Sequence, residues 1–480
     1  MAGRTDPTRS NIAHLFRRAG FGARPDEVDR AAQAGYRATV EALLAGLTGP
    51  DPTGDAVPRP DLTAPRTAGG ALATDPVARM AAQRQVRAVE NQQYLGLQQW
   101  WLDRMIVTST PLREKLTLIW HGHFATAFQK VRYVDFLYRQ NQLLRTLGSG
   151  NFETLTQALA KDPAMMIWLD TQTNVSGHPN ENFARELMEL FTLGIGNYSE
   201  TDVKEAARAF TGWNVKRDTG QFVLNARRHD NGLKTVLGVT GNLDGVDIVR
   251  LVTHQPASPL FIAAKLWSHL AYPVTTTDPI VDDLAAGYAK DLNITALLRS
   301  IFLHTAFTSD TAKQGLIKQP IEWVVGLARA FGVNAGLTAG TAAPTTAAPT
   351  TTAPTTATPA RPMPAGGSGT GTARSPLGNI LNLLAQEPFN PPNVGGWPQN
   401  TYWLNTATSL VRLQFGLSVG QHLDLKWLTA LPVNQRADAL ATRLSIDGWG
   451  QTTAAALNHV ASSPPALVAL ALSAPEYVLN

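Results

Sequence analysis

Apolar side chains recur at intervals of three and four residues through almost the whole chain, and this period limits the fold more than any single motif does. Leu112, Leu116, Ile119, Trp120 and His123 follow Pro111 on one helical face. Phe183, Leu187, Leu190, Phe191 and Gly194 repeat the pattern. Ser199 and Asp202 form a helix start ahead of Val203, Ala206, Ala207 and Phe210, and Asp244 and Asp247 do the same ahead of Ile248, Leu251 and Val252. Further helical stretches are expected over 260–270, 280–289, 294–303, 321–331, 377–386 and 403–415. The one extended signal is a β-hairpin expected at about 221–239, with His229-Asp230-Asn231-Gly232 between two β-prone runs. Strands do not alternate with helices, which argues against a doubly wound nucleotide fold. The expectation is a mainly α fold, a single multi-helix body with one small hairpin.

Composition breaks once. From 336 to 375 the chain is an Ala/Pro/Thr/Gly run with Arg361 and Arg374 as its charges, too poor in large apolar groups to offset the entropy of ordering. It is expected to be a disordered insertion within one domain spanning 8–480. Residues 376–480 carry too few turns of apolar face to bury a core alone, so they are expected to pack against the part before 336.

The formal charge of +4 over 480 residues provides little attraction for phosphate backbones, which argues against nucleic acid as a partner. With no cysteine there is no disulfide, thiolate metal site or cysteine nucleophile. No apolar stretch is long enough to span a membrane, and the first residues show no export signal. A cytoplasmic location is therefore expected, the alternative being export bound to a partner that carries its own signal. The motifs HExxH, GxSxG, GxxxxGK[ST] and DxDxDG do not occur.

Six ordered phrases stand out: His14-Leu15-Phe16-Arg17-Arg18-Ala19-Gly20-Phe21-Gly22, Trp120-His121-Gly122-His123-Phe124, the run from Glu181 to Gly194, Ala207 to Trp213, His229 to Gly238, and Phe389 to Pro398. Together they closely resemble the bacterial domain-of-unknown-function family 1800 over nearly the whole chain. The resemblance implies a mainly helical protein without a settled reaction, often exported. It also implies a partner encoded nearby, from family 1501, whose members resemble sulfatase and alkaline-phosphatase folds. Where that family commonly has histidine, this chain has Phe191.

Several residues could carry chemistry. His121 and His123 suit a divalent metal such as Zn or Mn, with Glu186 as a third ligand. Geometry divides the readings: in a continuing helix residues two apart point roughly 200° from one another, whereas in an extended segment they share a face. Glu186 borders the apolar stripe beside Asn182 and is open to a catalytic or a structural role, while Arg185 and Glu189 are expected to form an i, i+4 ion pair. His229, Asp230 and Lys234 could form an acid/base group at the hairpin tip, or could be turn chemistry. Trp213 and Trp397 are candidate ligand-contacting aromatics alongside Asn182 and Arg185, and Trp397 is equally suited to packing an interhelical groove.

Two functions follow. One is a metal-dependent or acid/base enzyme, a hydrolase among the possibilities, in which His121, His123, Glu186, His229 and Asp230 converge on an interhelical pocket. The other is a noncatalytic helical accessory protein working with a family 1501 partner.

Overall fold

A computed structural model describes residues 7–62, 75–338 and 374–479. Helices make up nearly all the regular structure of these residues, with four short strands among them. The helix starts follow local chemistry. Pro111 opens the Pro111–His123 helix, and reciprocal capping boxes formed by Ser199 with Asp202 and by Asp244 with Asp247 open Glu200–Ala209 and Gly245–Thr253. Later helices lie at Ala257–Leu270, Pro279–Tyr288, Ile294–Leu303, Pro320–Phe331, Pro376–Leu383 and Thr406–Gly420. The last begins after Trp403 because Asn405 caps it, accepting from the Thr408 N–H at 3.0 Å.

The sheet content departs from the expected hairpin. There are two hairpins: β1 (Trp213–Val215) pairs antiparallel with β2 (Phe222–Leu224), and β3 (Lys234–Val236) pairs with β4 (Val239–Gly241). His229 to Gly232 do not turn a hairpin but link the two. The Asp230 carboxylate accepts from the Gly232 N–H at 2.8 Å, so the Asn-Gly pair is used in a side-chain-closed turn rather than between paired strands.

One apolar core cluster includes residues from Leu15 to Tyr477. The Ala/Pro/Thr/Gly run lies, from 339 to 373, outside the described residues. Its two flanks meet: the Leu377 N–H donates to the Ala335 carbonyl at 3.3 Å. No described helix is long and apolar enough to cross a membrane.

A buried ion network anchors the long Pro76–Val107 helix. Glu114, fully buried, accepts from Arg104 Nε at 2.7 Å, from Arg145 Nε at 2.6 Å and from the Trp101 indole at 3.0 Å. Arg104 also reaches Asp51 at 3.2 Å and Asp55 at 2.8 Å. Burial alone would raise the Glu114 carboxyl; Arg145 and Arg104 outweigh it and hold the group below its ordinary value.

Candidate functional site

The two most distinctive phrases of the sequence fold onto each other. The Pro111–His123 helix continues through both histidines, so His121 and His123 leave it on different sides and do not share a ligand. His121 packs against Trp101, Phe389 and Trp397, with ring centroids 5.1, 5.1 and 5.4 Å away. Its Nε2 accepts the Phe389 N–H at 3.1 Å, which requires an unprotonated Nε2, and burial pushes the ring down to about 3. His123 has the opposite tautomer, because its Nε2–H donates to the Phe191 carbonyl at 3.0 Å. Phe191 itself is buried in the aromatic cluster around His123. The 389–398 loop lies so close that a Cβ on Gly396 would stand 2.0 Å from the Gly122 oxygen, and Gly396 has φ +83°. Only glycine fits there.

The Glu186 region is altered by its helix. Asn182–Glu186 passes into a π-helical turn, Leu187–Thr192, which resets the register. Arg185 therefore does not pair with Glu189. It binds Glu181 at 2.9 Å and Glu200 at 2.8 Å, while Glu189 accepts from the Tyr198 hydroxyl at 2.7 Å. Glu186 is half-buried, and burial and then the Glu189 charge raise its carboxyl, with Arg185 opposing. Asn182 is exposed, and its backbone N–H donates to Asn180 Oδ1 at 3.0 Å.

His229, Asp230 and Lys234 hold the link between the hairpins to the helix before it. His229 Nδ1–H donates to the Thr211 carbonyl at 2.8 Å. Asp230 takes Arg208 Nε at 2.8 Å, and this bond holds its carboxyl down at about 2. Lys234 is buried and donates to the carbonyls of Asp230 at 2.6 Å and Gly232 at 3.0 Å. All three are engaged in structure. Trp213 is also a core residue, edge-on to Phe210 at 5.1 Å and to Phe222 at 5.0 Å, with no ligand-facing surface beyond 3% exposure. Among the described residues no group of three or more His, Asp or Glu could hold a metal ion, so His121, His123 and Glu186 do not form the expected ligand set.

What the structure does bring together is a narrow crevice of about 30 Å³ beside Trp397, where the Pro111–His123, Ala257–Leu270 and Pro320–Phe331 helices meet the 395–399 segment. Lys115, Lys265, His269, Glu322 and Gln399 line it. Lys115 is ion-paired to Glu322, which also accepts the Gln319 N–H at 3.0 Å. The Gln399 amide donates to His269 at 2.5 Å. Among the described residues the Lys265 amine makes no hydrogen bond or ion pair; it lies 5.8 Å from the Phe261 ring centroid. Burial pushes this amine down to about 8. Burial, then Lys265 and Lys115, push His269 down to about 3, which keeps it neutral. Burial followed by the Lys265 charge also lowers His123 well below its ordinary value, which relates the second histidine of the phrase to this crevice.

The family model described as "Protein of unknown function (DUF1800)" matches residues 14–479. The chain belongs to the DUF1800 family. Comparison with curated proteins and with solved structures finds no match. Two of the phrases that resemble DUF1800, the one around Gly122 and the one around Gly396, thus build the wall of the crevice.

A wider cavity of about 540 Å³ lies elsewhere, and its amide and guanidinium groups are already committed. Asn151 and Asn293 cap helices, at 2.9 Å each to Thr154 and Ala296, and Arg299 is paired with Glu41 at 2.9 Å. Sequence patterning missed Lys115, Lys265, His269 and Glu322. A signal for Lys115 was present: it lies three residues after Leu112 and four before Ile119, a cation inside an apolar face.

Proposed function

We propose that this protein is an acid/base enzyme whose functional site is the crevice beside Trp397, with Lys265 as its working amine. The observation that carries the reading is the Lys265 amine, which faces an interhelical crevice without a hydrogen bond or ion pair among the described residues. Buried cations are ordinarily paired, and an amine without a carboxylate partner is free to exchange protons or attack a carbonyl carbon. Neutral His269 and the Gln399 amide shape the polar side, while Trp397 closes the apolar side. The metal-dependent form of the reading has no support from the donor geometry, since His121 and His123 are bonded to separate backbone segments.

Reductive methylation of the full-length protein with formaldehyde and cyanoborohydride at pH 7 tests the assignment, because the reagent is small enough for the crevice. Peptide mass spectrometry should find Lys265 modified ahead of exposed lysines such as Lys204 and Lys290. A Lys265 left unmodified once those are fully methylated would remove the basis of the reading.

A second reading, an accessory protein, draws on the Thr406–Gly420 helix, where Leu410, Leu413 and Leu417 lie at helical spacing and are 53%, 37% and 45% exposed. We infer that such a role would present this face to a partner of the family 1501 kind. Co-expression with a family 1501 neighbour, followed by co-purification that Leu413→Asp abolishes, tests it. The two readings also divide on compartment: amine chemistry needs no second protein and suits the cytoplasm, whereas the accessory role admits export bound to a signal-bearing partner. Cell fractionation with and without the neighbour separates them.

A further inference from the structure

We propose that the crevice binds the carboxylate head of a small organic acid between Lys265 and Lys115, an inference that rests on the crevice being the functional site. The argument starts from charge. Lys115, Lys318 and Arg18 lie within charge range of Glu322, and Lys265 lines the same crevice without pairing to it. Glu322 is committed to Lys115 and to the Gln319 N–H. Lys318, 5% exposed, makes no side-chain hydrogen bond among the described residues and rests 3.6 Å from the Tyr477 ring centroid. Arg18 donates to the Ala312 carbonyl at 2.5 Å, and the neighbouring Arg17 donates to the Ser445 carbonyl at 2.5 Å with Asp447 as the nearby opposite charge. Crowding cations in a poorly solvated interior is unfavourable, and an anion entering the crevice offsets it.

Size selects the anion. The space of about 30 Å³ corresponds to one or two water positions, enough for a flat carboxylate and too little for a tetrahedral phosphate. The lining also suits one: Lys265 has a free donor, and Gln319 lines the crevice with it. Trp397, which also lines the crevice, has an indole N–H with no hydrogen-bond partner among the described residues.

Thermal unfolding of the full-length protein, titrated with formate, acetate, phosphate or chloride at constant ionic strength and pH 7, tests this. Formate and acetate should raise the midpoint saturably, with chloride and phosphate giving little. Lys265→Met should weaken the formate response at least tenfold, whereas Lys204→Met, at an exposed position, should leave it unchanged. A formate response no larger than that of chloride, or one undiminished in Lys265→Met, would overturn the proposal. Methylation of Lys265 without any formate effect would sink this inference alone and leave the amine reading standing. A formate effect without methylation would do the reverse.

Discussion

Glu114 and Lys115 are consecutive residues of one helix, both buried, yet they enter opposite kinds of environment. On the Glu114 side every charge is paired: Arg104 faces Glu114, Asp51 and Asp55, and Arg145 faces Glu114. On the Lys115 side Glu322 is the one carboxylate lining the crevice, it is taken by Lys115, and Lys265 has no partner among the described residues. The first arrangement holds the fold together. The second leaves charge available for a ligand, and a site is where a protein tolerates such imbalance.

The comparison can be broken most severely at Glu114. Glu114→Gln keeps the shape but leaves Arg145 buried without a counter-charge and Arg104 with Asp51 and Asp55 alone, and it should cost about 3–5 kcal/mol in denaturant unfolding. Because the Glu114 carboxyl is held below its ordinary value, its contribution is present above the unfolded carboxylate value and is lost as pH falls through the folded one; the variant should lack that acid-side loss. Gly396→Ala comes next. It places a Cβ against the Gly122 oxygen at a positive φ, and should cost about 1–3 kcal/mol for the backbone alone while also opening the crevice wall. Lys115→Met should lose less than half of what Glu114→Gln loses, since Lys318 and Arg18 remain to face Glu322.

Lys265→Met should be neutral or stabilising. Its amine is lowered to about 8, so the charged form disfavours folding below that value and the cost fades as pH rises toward the value of an unfolded lysine. The variant should therefore gain stability at pH 6 to 7 relative to the parent, and the gain should vanish by about pH 10, as read by thermal midpoints. Deleting residues 341–359, far in sequence from both clusters, should give the smallest effect. Loop-closure entropy changes only logarithmically with length, and the flanks are already joined through Ala335 and Leu377. A loss of several kcal/mol there would show that the segment packs on the body.

The helices were legible because their signals are local. Pro111, the Ser199 and Asp202 pair, and the Asp244 and Asp247 pair each act within one turn of the start they specify. The π-turn after Glu186 was not legible, since it depends on how Leu187 to Thr192 fit the core, and it cancelled the expected Arg185 and Glu189 pair. The link at His229 to Gly232 misled for a related reason: Asn-Gly favours a tight turn, but Arg208 draws Asp230 away from a simple hairpin. Of the candidate residues, Trp397 alone lines the crevice.

The sequence by itself determined the helical class, the helix starts and the family, because period, caps and phrases are properties of neighbouring residues. Tertiary structure decided which titratable groups are used up and which are left over. His121 is silenced by a backbone N–H 268 positions away, and Lys115 meets Glu322 across 207 positions, partners that no local pattern encodes. Whether a buried charge becomes scaffold or site depends on the count of opposite charges that packing delivers to it, and that count exists only in the folded chain.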